Sequence, residues 1–176
     1  VPPTITTQPA SQTVTAGASV NFSVGGSGTA PLSYQWRLNG ANLAGGNSAT
    51  LNLTSVGTNQ SGSYSCVVTN LAGSATSSSA TLTVNPAPVA PSFTTQPVSL
   101  TVTAGANVSF TVAASGTAPL GYHWKLNGAN VAGGTSATLS LTGVTAGQAG
   151  SYTCVVTNIA GSATSSAATL DRKSVV

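Results

Sequence analysis

Charge is almost missing from this chain. Of its 176 residues, four are Lys or Arg, one is Asp, none is Glu and one is His. The charged residues are Arg37, Lys125, Asp171, Arg172 and Lys173, so everything before position 171 holds two cations and no carboxylate. General acid–base catalysis needs His, Asp or Glu within hydrogen-bonding reach of a substrate. A single imidazole, His123, supplies no such pair, and no enzyme is expected. Calcium sites need several oxygen ligands, carboxylates among them, so neither a metal nor a cofactor is expected. The pI of 9.2 reflects scarcity of charge and not a basic patch. Nucleic-acid binding requires clustered Lys and Arg, and nothing clusters. No apolar run approaches the ~18 residues of a membrane helix, so no membrane insertion is expected within this chain. Methionine is also absent. With no signal peptide at its start, the chain reads as a piece of a longer array.

What is present is repetition. Sliding residues 4–82 onto 92–170 without a gap leaves 23 mismatches in 79 positions, so 56 match. A gapless repeat of that length implies tandem domains, because solenoid units recur at roughly 20–50 residues. Two units of about 80 residues can each bury a small core. Between them, Asn85-Pro86-Ala87-Pro88-Val89-Ala90-Pro91 favours an extended polyproline segment acting as a semi-rigid spacer. The expected organisation is a domain over 1–84, a linker over 85–91 and a second domain over 92–170. Residues 171–176 break the repeat: Asp-Arg-Lys-Ser-Val-Val stands where a Thr-Val continuation is due. This hexapeptide resembles the translation of a sequencing adapter, and a non-native tail is expected.

Period-2 alternation marks strands. Val20, Phe22 and Val24 share one face, as do Tyr34 and Trp36, then Leu51 and Leu53, then Tyr64, Cys66 and Val68. Asn39-Gly40 and Asn127-Gly128 tolerate the positive φ angles of type I′ hairpins. No helical pattern competes with these strands.

With Trp36 and the Gly62-x-Tyr64-x-Cys66 run in place, the chain resembles tandem immunoglobulin-like domains of the I-set kind, such as those arrayed in large secreted or cell-surface proteins of bacteria. The second copy offers Phe110, Val112, Trp124, Gly150, Tyr152 and Cys154. The resemblance implies an all-β fold of two antiparallel β-sandwiches, with Trp36 and Trp124 buried and Tyr64 and Tyr152 forming tyrosine corners. It also shows two departures. Val24 and Val112 stand where the family has its first cysteine, so the intersheet disulfide is lacking, typically a cost of about 2–5 kcal/mol. Gln60 and Gln148 stand where an acidic residue is usual, so the family's buried ion pair cannot form. The structural core is expected to consist of Val24, Trp36, Tyr64 and Cys66 in one unit and Val112, Trp124, Tyr152 and Cys154 in the other.

That core leaves little for chemistry. Inward thiols are poor nucleophiles because burial raises their pKa and blocks access. All the Trp and Phe of the two repeats share the inward parity, which leaves no exposed aromatic row for stacking sugars. Arg37 and Lys125 read as solubilising cations on the outer face, and His123 as a solvated side chain beside them. Four Asn-x-Ser/Thr acceptor patterns, at Asn21, Asn52, Asn59 and Asn107, are what so Ser- and Thr-rich a chain contains by chance. The resulting expectation is a non-enzymatic structural or adhesive module of a longer extracellular or cell-surface repeat array. Its partners would be neighbouring repeats of the same chain and a protein or glycan surface ligand. The alternative is an accessory spacer or carbohydrate-binding module of a secreted polysaccharide-degrading enzyme.

Overall fold

A computed structural model describes residues 1–173, and Ser174, Val175 and Val176 lie outside the described residues. The chain divides into two compact units, Val1–Ala87 and a second beginning at Pro88. Each is all-β. The first contains β1 (Thr4–Thr7), β2 (Gln12–Thr15), β3 (Val20–Ser23), β4 (Gly25–Ser27) and β5 (Ser33–Leu38). It continues with β6 (Ala41–Asn42), β7 (Thr50–Leu53), β8 (Gly62–Asn70), β9 (Gly73–Thr76) and β10 (Ala80–Asn85). The second repeats them as β11 (Ser92–Thr95), β12 (Leu100–Thr103), β13 (Val108–Thr111), β14 (Ala113–Ser115) and β15 (Gly121–Leu126). Its remaining strands are β16 (Ala129–Asn130), β17 (Thr138–Leu141), β18 (Gly150–Asn158), β19 (Gly161–Thr164) and β20 (Ala168–Lys173).

In the first unit one layer has the order β2-β10-β8-β5-β6, with β9 also paired to β8. The other layer comprises β7 against β3 and β1 against β4. β3 runs into β4 through Val24, which is buried between them. The apolar parity of each strand puts Val20, Phe22 and Leu51 of one layer against Trp36, Tyr64 and Leu82 of the other in a single core. The second unit repeats this arrangement around Phe110, Trp124 and Tyr152.

Two features break simple antiparallel order. After β1 the chain passes buried Pro9, changes layer, and re-forms as β2, which runs parallel to β10 with Thr83 opposite Thr13. Proline ends the first pairing because it brings no N–H to a ladder. Between β9 and β10, four steps from Thr76 to Ala80 face three steps from Val67 to Tyr64, leaving one extra residue as a bulge. The hairpin joining β5 and β6 is as expected, with φ of 50° at Asn39 and 85° at Gly40.

The boundaries differ from those expected from composition. Asn85 belongs to β10, opposite Thr15. Val89 is tied into the second unit: its carbonyl accepts from Thr117 N at 3.0 Å and Asn158 Nδ2 at 2.7 Å, and its N–H donates to Thr117 Oγ1 at 2.8 Å. Pro86, Ala87 and Pro88 are what remains between strand and anchor. The second unit likewise extends past 170, since Asp171, Arg172 and Lys173 complete β20 opposite Thr101, Val102 and Thr103. Arg172 takes the place of buried Val84, and its Nε is buried without a hydrogen-bond partner among the described residues. An unpartnered buried donor costs about 1–3 kcal/mol. Arg172→Val is therefore expected to stabilise the second unit by about 1 kcal/mol or more, a rise of about 4–8 °C in its melting temperature. Calorimetry showing an unchanged or lower transition would refute this account of the strand end.

Candidate functional site

The residues singled out by sequence converge. Val24, Trp36, Tyr64 and Cys66 lie in one buried cluster and Val112, Trp124, Tyr152 and Cys154 in its counterpart. β5 and β8 set Trp36 directly opposite Cys66, and β15 and β18 set Trp124 opposite Cys154. Phe22 reaches across from the other layer and stacks on Tyr64 at 4.8 Å between ring centroids, with Trp36 tilted against it at 6.1 Å. The second unit repeats these contacts at 4.8 and 6.0 Å. Such aromatic pairs add about 0.5–1.5 kcal/mol beyond area burial.

The polar atoms carried into this core are all matched. Trp36 Nε1 donates to Ser48 O at 2.9 Å, and Tyr64 Oη to Gln60 O at 2.8 Å, the tyrosine corner. Gln60, standing in for the family's acid, accepts Gly57 N at 2.9 Å through Oε1 and so closes the turn ahead of β8. Gly46 lies over the tryptophan, where a Cβ would come within 2.9 Å of Trp36 Cβ. Gln35, on the outer side of β5, donates through Nε2 to Trp36 O and Leu43 O, both at 2.9 Å.

Cys66 and Cys154 are free and fully buried. Burial pushes both thiols above their ordinary value, against a smaller opposite pull from the backbone of Gln35 and His123 respectively. Each sulfur is a protonated small hydrophobe sealed from reagents, not a nucleophile. Among the described residues no group of His, Cys, Asp or Glu has the makings of a metal site.

Sequence reasoning missed the bulge beside the cysteine. Ser77 is buried, accepts Cys66 N through Oγ at 2.9 Å and donates to Ser78 O at 2.9 Å. Gln8, from the crossing before β2, accepts both Ser78 N at 2.8 Å and Ser78 Oγ at 3.0 Å through Oε1. Ser165 and Gln96 repeat this in the second unit. Also missed was Asn70, whose Nδ2 donates to Val1 O and Thr29 O at 2.8 Å each. That bond ties the β8–β9 hairpin to the loop after β4, beside a cavity of about 180 Å³ lined by uncharged side chains including Thr29, Asn70 and Leu71.

This arrangement of two layers, buried tryptophan and tyrosine corner is matched by the family model described as "Immunoglobulin domain", over residues 2–70 and again over 90–158. The chain belongs to the immunoglobulin domain family. Leucine-rich repeats and immunoglobulin-like domains protein 3 of mouse is 32% identical over 145 residues, covering 72% of this chain and 13% of that protein. The human protein of the same name is 33% identical over 145 residues. The chain thus spans 13% of the length of these relatives. Among solved structures, the I67–I69 fragment of the titin I-band matches with a TM-score of 0.59 at 25% identity, over 99% of this chain and 66% of that one. The titin Z1Z2 pair, solved in complex with telethonin, matches at 0.52 and 26% identity over 100% and 98%. The sequence relatives are animal proteins, and nothing in them supports the bacterial source expected from the resemblance.

Two predictions follow from this immunoglobulin core. Ser77→Ala leaves Cys66 N–H buried without an acceptor, which is expected to cost about 1–3 kcal/mol in urea unfolding; no measurable loss would remove Ser77 from the account. The second concerns pH. The thiols, ordinarily near 9.0, and Tyr64 and Tyr152, ordinarily near 10.0, are all raised by burial. The unfolded chain therefore loses these protons first, so stability is full below the ordinary thiol value and falls as pH rises through the raised ones. Carboxylate-driven acid unfolding has only Asp171 and the C-terminus to act through. The unfolding midpoint is expected to stay level from about pH 4 to 8 and to drop above about pH 9. A marked acid transition would contradict it.

Proposed function

We propose that the chain is a non-enzymatic structural or adhesive module within a longer extracellular repeat array, acting as a spacer or as part of a cell-surface binding stalk. The observation that carries this reading is two complete immunoglobulin sandwiches, each closed around its own core. Supporting it are the relatives that carry immunoglobulin-like domains as part of a much larger protein. The titin pair solved with telethonin supplies an example of tandem domains engaging a protein. The partners in this reading are neighbouring repeats and a protein or glycan ligand at the surface. Residues 171–176 replace a strand end that in the first repeat reads Thr83-Val84-Asn85.

The test is location. Antibodies raised against the two-unit chain are expected to label intact, unpermeabilised cells of the source organism, or material released from them. Labelling that appears only after permeabilisation would overturn the extracellular reading.

A further inference from the structure

Before position 171 the chain carries two formal charges, and they occupy the same place in the two repeats: Arg37 and Lys125. Both stand on the outer face of their strand, because Trp36 and Trp124 beside them turn into the cores. Arg37 is the centre of a row across three strands, with Ser65 of β8 on one side and Asn42 of β6 on the other. Asn42 Oδ1 accepts from its Nε at 2.9 Å, which fixes the guanidinium plane and leaves both terminal amino groups without a protein partner among the described residues. Lys125 holds the same place between Thr153 and Asn130.

Neither cation has a local counter-ion. The first unit contains no carboxylate, and in the second Asp171 lies on β20, separated from β15 by β18. This position is also one of the 23 in 79 at which the repeats differ. The residue changed from Arg to Lys while the charge stayed, in a chain that otherwise does without charge.

We propose that this row is the binding point for an anionic polysaccharide. Its carboxylate or sulfate groups meet Arg37 and Lys125, and its hydroxyls meet the flanking Ser65, Thr153, Asn42 and Asn130. A guanidinium held by its Nε presents an oriented pair of donors to an oxyanion, and Lys serves as a point charge. Acidic protein fits less well, because protein interfaces rely on large anchors such as Trp and Tyr, and every Trp here is in a core. One cation makes a weak site. Two in one chain, 88 residues apart, add through avidity on a polymer that reaches both. The inference rests on the adhesive reading above and names its partner.

The experiment is retention of the two-unit chain on immobilised dextran sulfate and polygalacturonate, with unmodified dextran as control, at about 10 mM salt, where screening is weak. The chain is expected to bind one or both anionic polymers and not dextran. Arg37→Gln with Lys125→Gln should weaken that binding about tenfold or more, the loss of one charge-assisted contact. Arg37→Lys should retain most of it. Arg172→Val with Lys173→Asn, which restores the residues of the first repeat, should leave it unchanged. Retention that follows Arg172 and Lys173 instead would overturn the site, as would equal binding of the Gln variants. Equal or tighter binding to an immobilised acidic protein would overturn the ligand class. Surface labelling that persists when polymer binding is absent would refute this inference alone and leave the adhesive reading standing.

Discussion

Phe22 stacked on Tyr64, with Trp36 tilted against it, joins the two layers of the first unit, and Phe110, Tyr152 and Trp124 do the same in the second. In a sandwich with an intersheet disulfide, a covalent bond shares that task. Here Cys66 and Cys154 are single thiols, and cohesion between the layers comes from packing. Packing of this kind fixes position only if every polar atom drawn into the core finds a partner, because an unmet donor cancels the gain. The Trp36 indole on Ser48 O and the Tyr64 hydroxyl on Gln60 O are therefore conditions of the aromatic contact, not additions to it.

The same condition explains how a chain with one acidic side chain holds its loops. Neutral amides and hydroxyls take the places that ion pairs fill elsewhere. Gln60 closes a turn, Asn39 accepts Ser63 N at 2.9 Å beneath the hairpin, Asn70 clamps two loops, and Gln8 holds the bulge. Neutral hydrogen bonds contribute about 1 kcal/mol each and are little affected by salt. Surface charge is then free of structural duty, which makes the persistence of Arg37 and Lys125 informative.

The two repeats act as a comparison of one fold under two sequences. Gly25 and Gly26 become Ala113 and Ala114 with the pairing of β4 and β14 kept. Gln35, which bonds two carbonyls across β5, becomes exposed His123 in the second unit. The aromatic trio, the serine–glutamine lock at the bulge and the asparagine clamp do not change. Substitution has been tolerated where a side chain meets water or a neighbour able to shift, and not where it completes the core or satisfies buried backbone.

The sequence by itself determined the strands, the inward faces and the Asn-Gly turns, because these depend on parity and on the φ preferences of one or two adjacent residues. Phe22, Trp36, Tyr64 and Cys66 could be placed inside from alternation alone. The tertiary structure decided what depends on distant partners. Gln8 meets Ser78 across 70 residues, and nothing in either local sequence announces the bond. The crossing at Pro9, the bulge at Ser77, the anchoring of Val89 and the extension of β20 to Lys173 follow the same rule. Each is set by which backbone groups remain unpaired once the sheets have come together, and a local pattern carries no record of that.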